Sequence, residues 1–451
     1  MNGNARGPFP RPNRTESESF FRSVSVHPLT RRACILVLAA TAACGTSDVR
    51  PRWSATVDTV GDTITVLTTA GSVWDGEATL TPETGIGVLE GEDAYMLGSI
   101  RGLAVNAAGE IHALDTQVPV IRVYGSDGRH RADIGREGGG PGEYRRPDGG
   151  LVVLPDGRVL LRDPGNARMT VFSAAGEYLA GWPLPSGGSF NTSRKLYRDT
   201  AGNAYTLVLL ERDVDVTRWT YGLARFTPDG AHTDTLRVPR WDYEAPQVVG
   251  RSENSTSTNS VPFSPSIHWT FSPYGYMVGG VSTDYRIDLF LADGKVLRIG
   301  RAWEPVPVDP AEKSDAEERI TANMRSSFPG WRWNGPPTPG HKPPFRGIFA
   351  GDDGRIWVLL SQPGVEIMSD AEARAGTPAV SGTGVQPRSL PQRFREPVVF
   401  DVFEPDGTYL GRVRTPDGFS TSPEPVFRGD LVWAVERDEL DVPRIVRYRI
   451  H

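Results

Sequence analysis

Ten glycines set in pairs constrain this chain more than any other feature. Each closes a tight turn between two short runs rich in β-branched and aromatic residues: Gly109 with Gly128, Gly157 with Gly176, Gly202 with Gly230, Gly275 with Gly294 and Gly354 with Gly407. The spacings within the pairs are 19, 19, 28, 19 and 53 residues. An X-Gly turn between β-type runs marks a hairpin. One unit therefore reads strand, tight turn, strand, loop, strand, tight turn, strand. A repeated spacing with two lengthened cases is the mark of one unit used several times with insertions.

A sixth unit is incomplete. Phe427–Val435 supplies a turn at Gly429 and a strand, and Arg444–Ile450 supplies another, but an outer strand is missing. Trp53–Val66 alternates well and contains no proline, so it is expected to pair with 444–450 and close a ring. Closure protects strand edges that would otherwise aggregate. The expected fold is all-β: a six-bladed β-propeller of four-stranded antiparallel blades, the last completed by an N-terminal strand. Seven blades would need strands hidden in 68–99 or 302–345, where no paired turn signals occur.

With strands lettered A to D from the axis outward, the A–B and C–D turns stay short. Extra length falls in B–C loops (211–219 and 361–397) and in D–A links (182–193, 239–266 and 302–345). These emerge on one face of a blade, which is the expected binding face because recognition residues sit on loops held by a rigid scaffold. The 302–345 link, between blades four and five, is expected to hold one short helix over 310–325, opened by Pro310 and early acids and stopped before Pro329.

The front of the chain reads differently. Residues 1–30 show no periodicity; Arg31 and Arg32 then precede an apolar run, Ala33–Ala43, laid out like a secretory signal. The run is too short for a permanent membrane span. Ala42-Ala43-Cys44 resembles the end of a bacterial lipoprotein signal, which implies lipidation of Cys44. The expected organisation is a leader at 1–43 that is removed, a tether at 44–51 and one domain over 52–451. The other cysteine, Cys34, lies in the signal, so the domain forms no internal disulfide. The leader carries six arginines and two glutamates, net +4, which leaves −10 of the chain's −6 for Cys44 onward. That acidity argues against nucleic acid.

Signals for chemistry are thin. There is no His-Glu-x-x-His, no Gly-x-Ser-x-Gly and no phosphate loop. The aspartates of Asp127-Gly128, Asp156-Gly157, Asp293-Gly294 and Asp406-Gly407 read as turn formers. Asp115 and Asp163 fall at equivalent places after strand B. Asp163-Pro-Gly-Asn166-Ala-Arg168 looks like a signature in which acid, amide and arginine tie neighbouring strands together. Trp331, Arg332 and Trp333 either stack on a planar or sugar-like ligand or pin the link to the propeller. His268 and His341, if they met an acid at the channel mouth, would hold a metal or act as a base. No motif supports a cofactor, an axial Ca2+ included.

The run Gly135-Arg-Glu-Gly-Gly-Gly-Pro-Gly-Glu-Tyr144, followed by Leu151–Phe172 and by the closing Gly429–Ile450, resembles NHL-repeat propellers, and 52–450 is similar to the six-bladed NHL-like family of bacterial lipoproteins and exported proteins. The resemblance implies a binding platform, although some relatives are lyases or calcium-dependent hydrolases. The expectation is an extracytoplasmic, lipid-anchored monomer that binds a glycan, peptide or protein, in preference to an enzyme. The alternative is a lyase or hydrolase at the channel mouth, metal-dependent or not.

Overall fold

The computed structural model describes residues 53–185, 195–213, 219–375, 390–438 and 440–451. The expected export signal, Cys44 and the 44–51 tether lie outside them.

The ten turn glycines all adopt φ between 79° and 90°, where a side chain would be strained. In each turn the glycine N–H donates to the carbonyl three residues back, as from Gly109 to Asn106 at 3.0 Å. Asp127, Asp156, Asp293 and Asp406 each accept the backbone N–H two residues on, at 2.9 to 3.1 Å. The turns fold five four-stranded antiparallel sheets. Sheet one spans Ile100–Val105 to His130–Ile134, sheet two Leu151–Val153 to Tyr178–Pro183 and sheet three Leu196–Arg198 to His232–Arg237. Sheet four spans Ile267–Phe271 to Val296–Arg301 and sheet five Phe345–Ala350 to Tyr409–Arg414. In a sixth sheet Val426–Arg428, Leu431–Arg437 and Pro443–Ile450 pair in turn.

The outer strand of that sheet differs from expectation. Trp53–Val60 (β1) and Thr63–Gly71 (β2) form a hairpin, and β2 runs parallel to Val296–Arg301 on the outer edge of sheet four. The strand that joins the C-terminus is Glu77–Ile86 (β3), with Leu80 opposite Ile450 and Ile86 opposite Ile445. It lies in the 68–99 stretch, where no paired turn signals occur. Two features hide it in the sequence. Pro82 interrupts the run, and the register slips between Pro82 and Thr84, a bulge that proline tolerates. The bulged Glu83 accepts from Arg447 at 3.0 Å and from Arg449 at 2.5 Å on the neighbouring strand. Val66 of β2 packs instead among the side chains of sheets four and five.

The core is divided among the sheet junctions. Separate clusters of buried side chains fill the gaps between sheets one and two, two and three, three and four, four and five, five and six, and six and one. The junction of six with one holds Ile86, Trp433, Val435 and Ile445 against Leu103 and Val105. The architecture is all-β and propeller-like.

A helix over Pro310–Ser327 (α1) lies in the link between sheets four and five, two residues longer than expected. Asp309 caps it, its carboxylate accepting from Ala311 N–H at 2.8 Å. Met324 and Phe328 at its end pack on Val248 and Val261. A second helix, Asp370–Ala375 (α2), was not expected; it lies in the B–C loop of sheet five.

Candidate functional site

A cavity of about 490 Å3 is lined by the first strands of all six sheets or the residues beside them. This is the size of a small-molecule site. Its two ends differ in chemistry. Where the first strands run out toward their A–B turns, Arg198, Asp352 and Arg428 form a chain of ion pairs. Arg198 donates to Asp352 at 2.8 Å and Arg428 donates to the other oxygen of Asp352 at 2.6 Å. Arg428 continues to the carbonyls of Val105 and Asn106 in sheet one, at 2.9 and 2.7 Å.

Toward the opposite end, where the D–A links enter, stand Lys195, Tyr197 and Glu424. Lys195 precedes the first strand of sheet three. Its ammonium donates to the Trp269 carbonyl at 3.1 Å and sits 4.9 Å from the Trp269 ring centre. Burial works against that charge, but the nearby Tyr197 and Glu424 oxygens outweigh it and hold the lysine pKa above its usual value. Glu424 comes from the segment before Val426. Its side chain is exposed and lines the cavity. Burial raises its pKa, and Lys195 offsets part of the rise. The Tyr197 hydroxyl lies close to Lys195 and Thr270 without a well-formed hydrogen bond, and burial raises its pKa too. Among the described residues no ion pair joins Lys195 to Glu424, so both retain capacity for a third group.

The arrangement supplies a cation, a carboxyl that holds its proton more tightly than usual and a phenol within one cavity. Such a set can transfer a proton and stabilise an oxyanion. Among the described residues no three His, Cys, Asp or Glu side chains gather to hold an ion. We derive no step through a metal.

The residues singled out from the sequence lie elsewhere. His268, on the first strand of sheet four, has Nε2 2.8 Å from the Ser266 hydroxyl and packs its ring on Phe345. Burial, helped by the Lys195 charge, lowers its pKa to about 4. His341 is exposed on a short strand opposite Pro307; the two histidines share no contact. Trp331 is buried, donates to the Val249 carbonyl at 2.9 Å and belongs to the helix cluster; Trp333 packs edge-on to it and Arg332 points to solvent.

Asp115 accepts from the backbone of Gly98, Ser99 and Gln117 at 2.8 to 3.0 Å. Asp163 accepts from Arg145 and Arg146 N–H and from Asn166, while Arg168 donates to the Gly140 and Glu143 carbonyls. These bonds tie the glycine-rich 135–146 segment to sheet two. Lys195, Tyr197 and Glu424 were missed because no motif marks them. The available signal was a lysine placed at the start of an inner strand.

No family model and no curated protein matches the chain. Solved structures do. A member of the duf4221 family from Bacteroides vulgatus is similar with a TM-score of 0.50 at 9% identity, covering 83% of this chain and 99% of that one. A gluconolactonase from Xanthomonas campestris has a TM-score of 0.37 at 13% identity, covering 79% and 87%. A virginiamycin B lyase from Staphylococcus aureus has a TM-score of 0.37 at 11% identity, covering 81% and 98%. At these identities the likeness is one of fold. It corrects the expectation of a binding protein in preference to an enzyme, because chains named as enzymes are among those similar to this one.

Proposed function

We propose that this protein is a lyase or hydrolase whose reaction takes place in the central cavity of a six-bladed propeller. The observation that carries the reading is that Lys195 and Glu424, from sheets three and six, face the same cavity without an ion pair between them. A carbonyl-bearing substrate set between them would have its developing negative charge met by the Lys195 ammonium. Glu424 would remove or return the proton, its raised pKa keeping it basic enough to do so. The Arg198–Asp352–Arg428 chain would close the far end, so substrate enters from the side of the long links.

The reading also has the protein work outside the cytoplasm, exported by the 31–43 segment and held to a membrane through lipidated Cys44, as in the NHL-like lipoproteins. Intact mass of membrane-extracted protein would show the acyl group, and a freely released unmodified chain would remove this part.

The activity is tested with D-gluconolactone and virginiamycin B, the compounds in the names of two similar structures, and a wider panel of lactones, both neutral and carboxylate-bearing. We expect turnover of at least one, falling about 100-fold or more in Lys195→Met and in Glu424→Gln, with melting temperatures kept. Turnover indifferent to both changes, or none on the whole panel, overturns the proposal.

A further inference from the structure

The cavity wall carries more charge than the pair just described. Arg101, the second residue of the strand Ile100–Val105, lines the same cavity and is exposed within it. Its side chain makes one long hydrogen bond, 3.3 Å from Nε to the Ser99 hydroxyl. Among the described residues no carboxylate forms an ion pair with it. Asp352, the other acid of the wall, is already held by Arg198 and Arg428. What remains uncommitted is Arg101 and Lys195 against Glu424, one positive charge in excess, inside a protein of net charge −6. Focused charge of one sign in a cleft selects ligands of the other.

The rest of the wall is of a different kind. Val152, Phe349 and Val426 line it half-buried, and the lining Leu103, Leu151 and Phe271 are themselves buried in the sheet junctions. Gly102 and Gly149 leave bare backbone where sheets one and two meet. A Cβ at Gly149 would stand 2.4 Å from the Arg101 carbonyl oxygen, so this floor cannot carry a side chain without moving Arg101.

We propose that the cavity takes a small carboxylate with an apolar body, its carboxylate bound by Arg101 and its apolar part lying against the wall formed by Val152, Phe349 and Val426. An arginine fork matches a carboxylate with two parallel bonds, which a neutral amide cannot reproduce. This rests on the cavity being the reaction site, with the bound carboxylate placing the rest of the molecule between Lys195 and Glu424.

The test measures binding without turnover, so its failure is distinct from failure of the proposed activity. Phenylacetate and hexanoate are titrated calorimetrically into the full folded chain beside phenylacetamide and hexanamide. We expect the acids to bind and the amides to bind at least 10-fold more weakly. Arg101→Gln should weaken the acids about 10- to 100-fold and leave the amides unchanged, whereas Arg101→Lys should retain part of the preference. Arg101 is exposed with one weak contact, so both variants should keep the wild-type melting temperature. Equal binding of acid and amide, wild-type acid binding by Arg101→Gln, or binding of neither acid overturns the inference.

Discussion

Arg198 and Asp352, 154 residues apart in sequence, meet at 2.8 Å and join sheet three to sheet five, which are not neighbours in the chain. Because Asp352 also takes Arg428 from sheet six, one carboxylate holds three sheets at one end of the cavity. Removing it leaves two guanidinium groups facing each other, partly screened because all three side chains keep some exposure. Asp352→Ala should lower unfolding free energy by about 1–3 kcal/mol, with Asp352→Asn between it and wild type. Urea unfolding checks this, and an unchanged midpoint would contradict it.

β3 rather than the front hairpin joins the two ends of the described chain, so the two segments should differ in sensitivity. Ile86 is 2% exposed among Trp433, Val435 and Ile445, whereas Val57 on β1 is 66% exposed. Ile86→Asp puts a charge into that junction and should cost more than about 3 kcal/mol. Val57→Asp should stay within about 0.5 kcal/mol of wild type. Thermal melts of the two variants decide, and equal losses would show that the hairpin matters as much as the joining strand.

Why one strand was legible and the other not is a matter of what sets the signal. The ten turn glycines announce themselves because φ near 80° almost requires glycine, so the requirement is written in residue type. β3 has no such local demand. Its inward pair, Ala78 and Leu80, is followed by Pro82, a bulge and Gly85, and its partners, Tyr409–Arg414 and Pro443–Ile450, lie far along the chain. β1 and β2 alternate more cleanly in sequence yet bury only Val66 and Thr68. The helix α1 was legible from its proline, acids and stop. The cavity was not, since Arg101, Lys195 and Glu424 come to line one space only through the sheet arrangement.

The anchorage of α1 offers a test of buried charge. Lys342 is fully buried and donates to Glu312 at 2.6 Å, to Glu396 at 3.0 Å and to the Gln362 carbonyl at 2.9 Å. Glu396 has Arg346 as a second cation, but among the described residues Glu312 on the helix has no other. Lys342→Met would strand the Glu312 carboxylate and should cost about 3–5 kcal/mol. Adding Glu312→Gln should recover most of it. A double variant as unstable as the single one would mean that the lysine matters through packing alone.

Stability should also fall on mild acidification, and His268 gives the window. Its pKa is about 4 in the folded protein, because burial and the Lys195 charge disfavour the imidazolium, against 6.5 for the free side chain. Between those values the unfolded chain holds a proton that the folded chain does not. Stability therefore rises with pH across that interval and is fully present above about 6.5. As pH falls toward 4 this one group should withdraw up to about 3 kcal/mol, after which its contribution is spent. His112 is lowered by burial as well and adds to the slope in the same direction. Unfolding free energies at pH 7.0 and 4.5 should differ less in His268→Gln than in wild type, since the substituted side chain has no proton to gain. An identical difference in both proteins would mean that His268 titrates normally and is more open to water than its contacts with Phe345 and Ser266 imply.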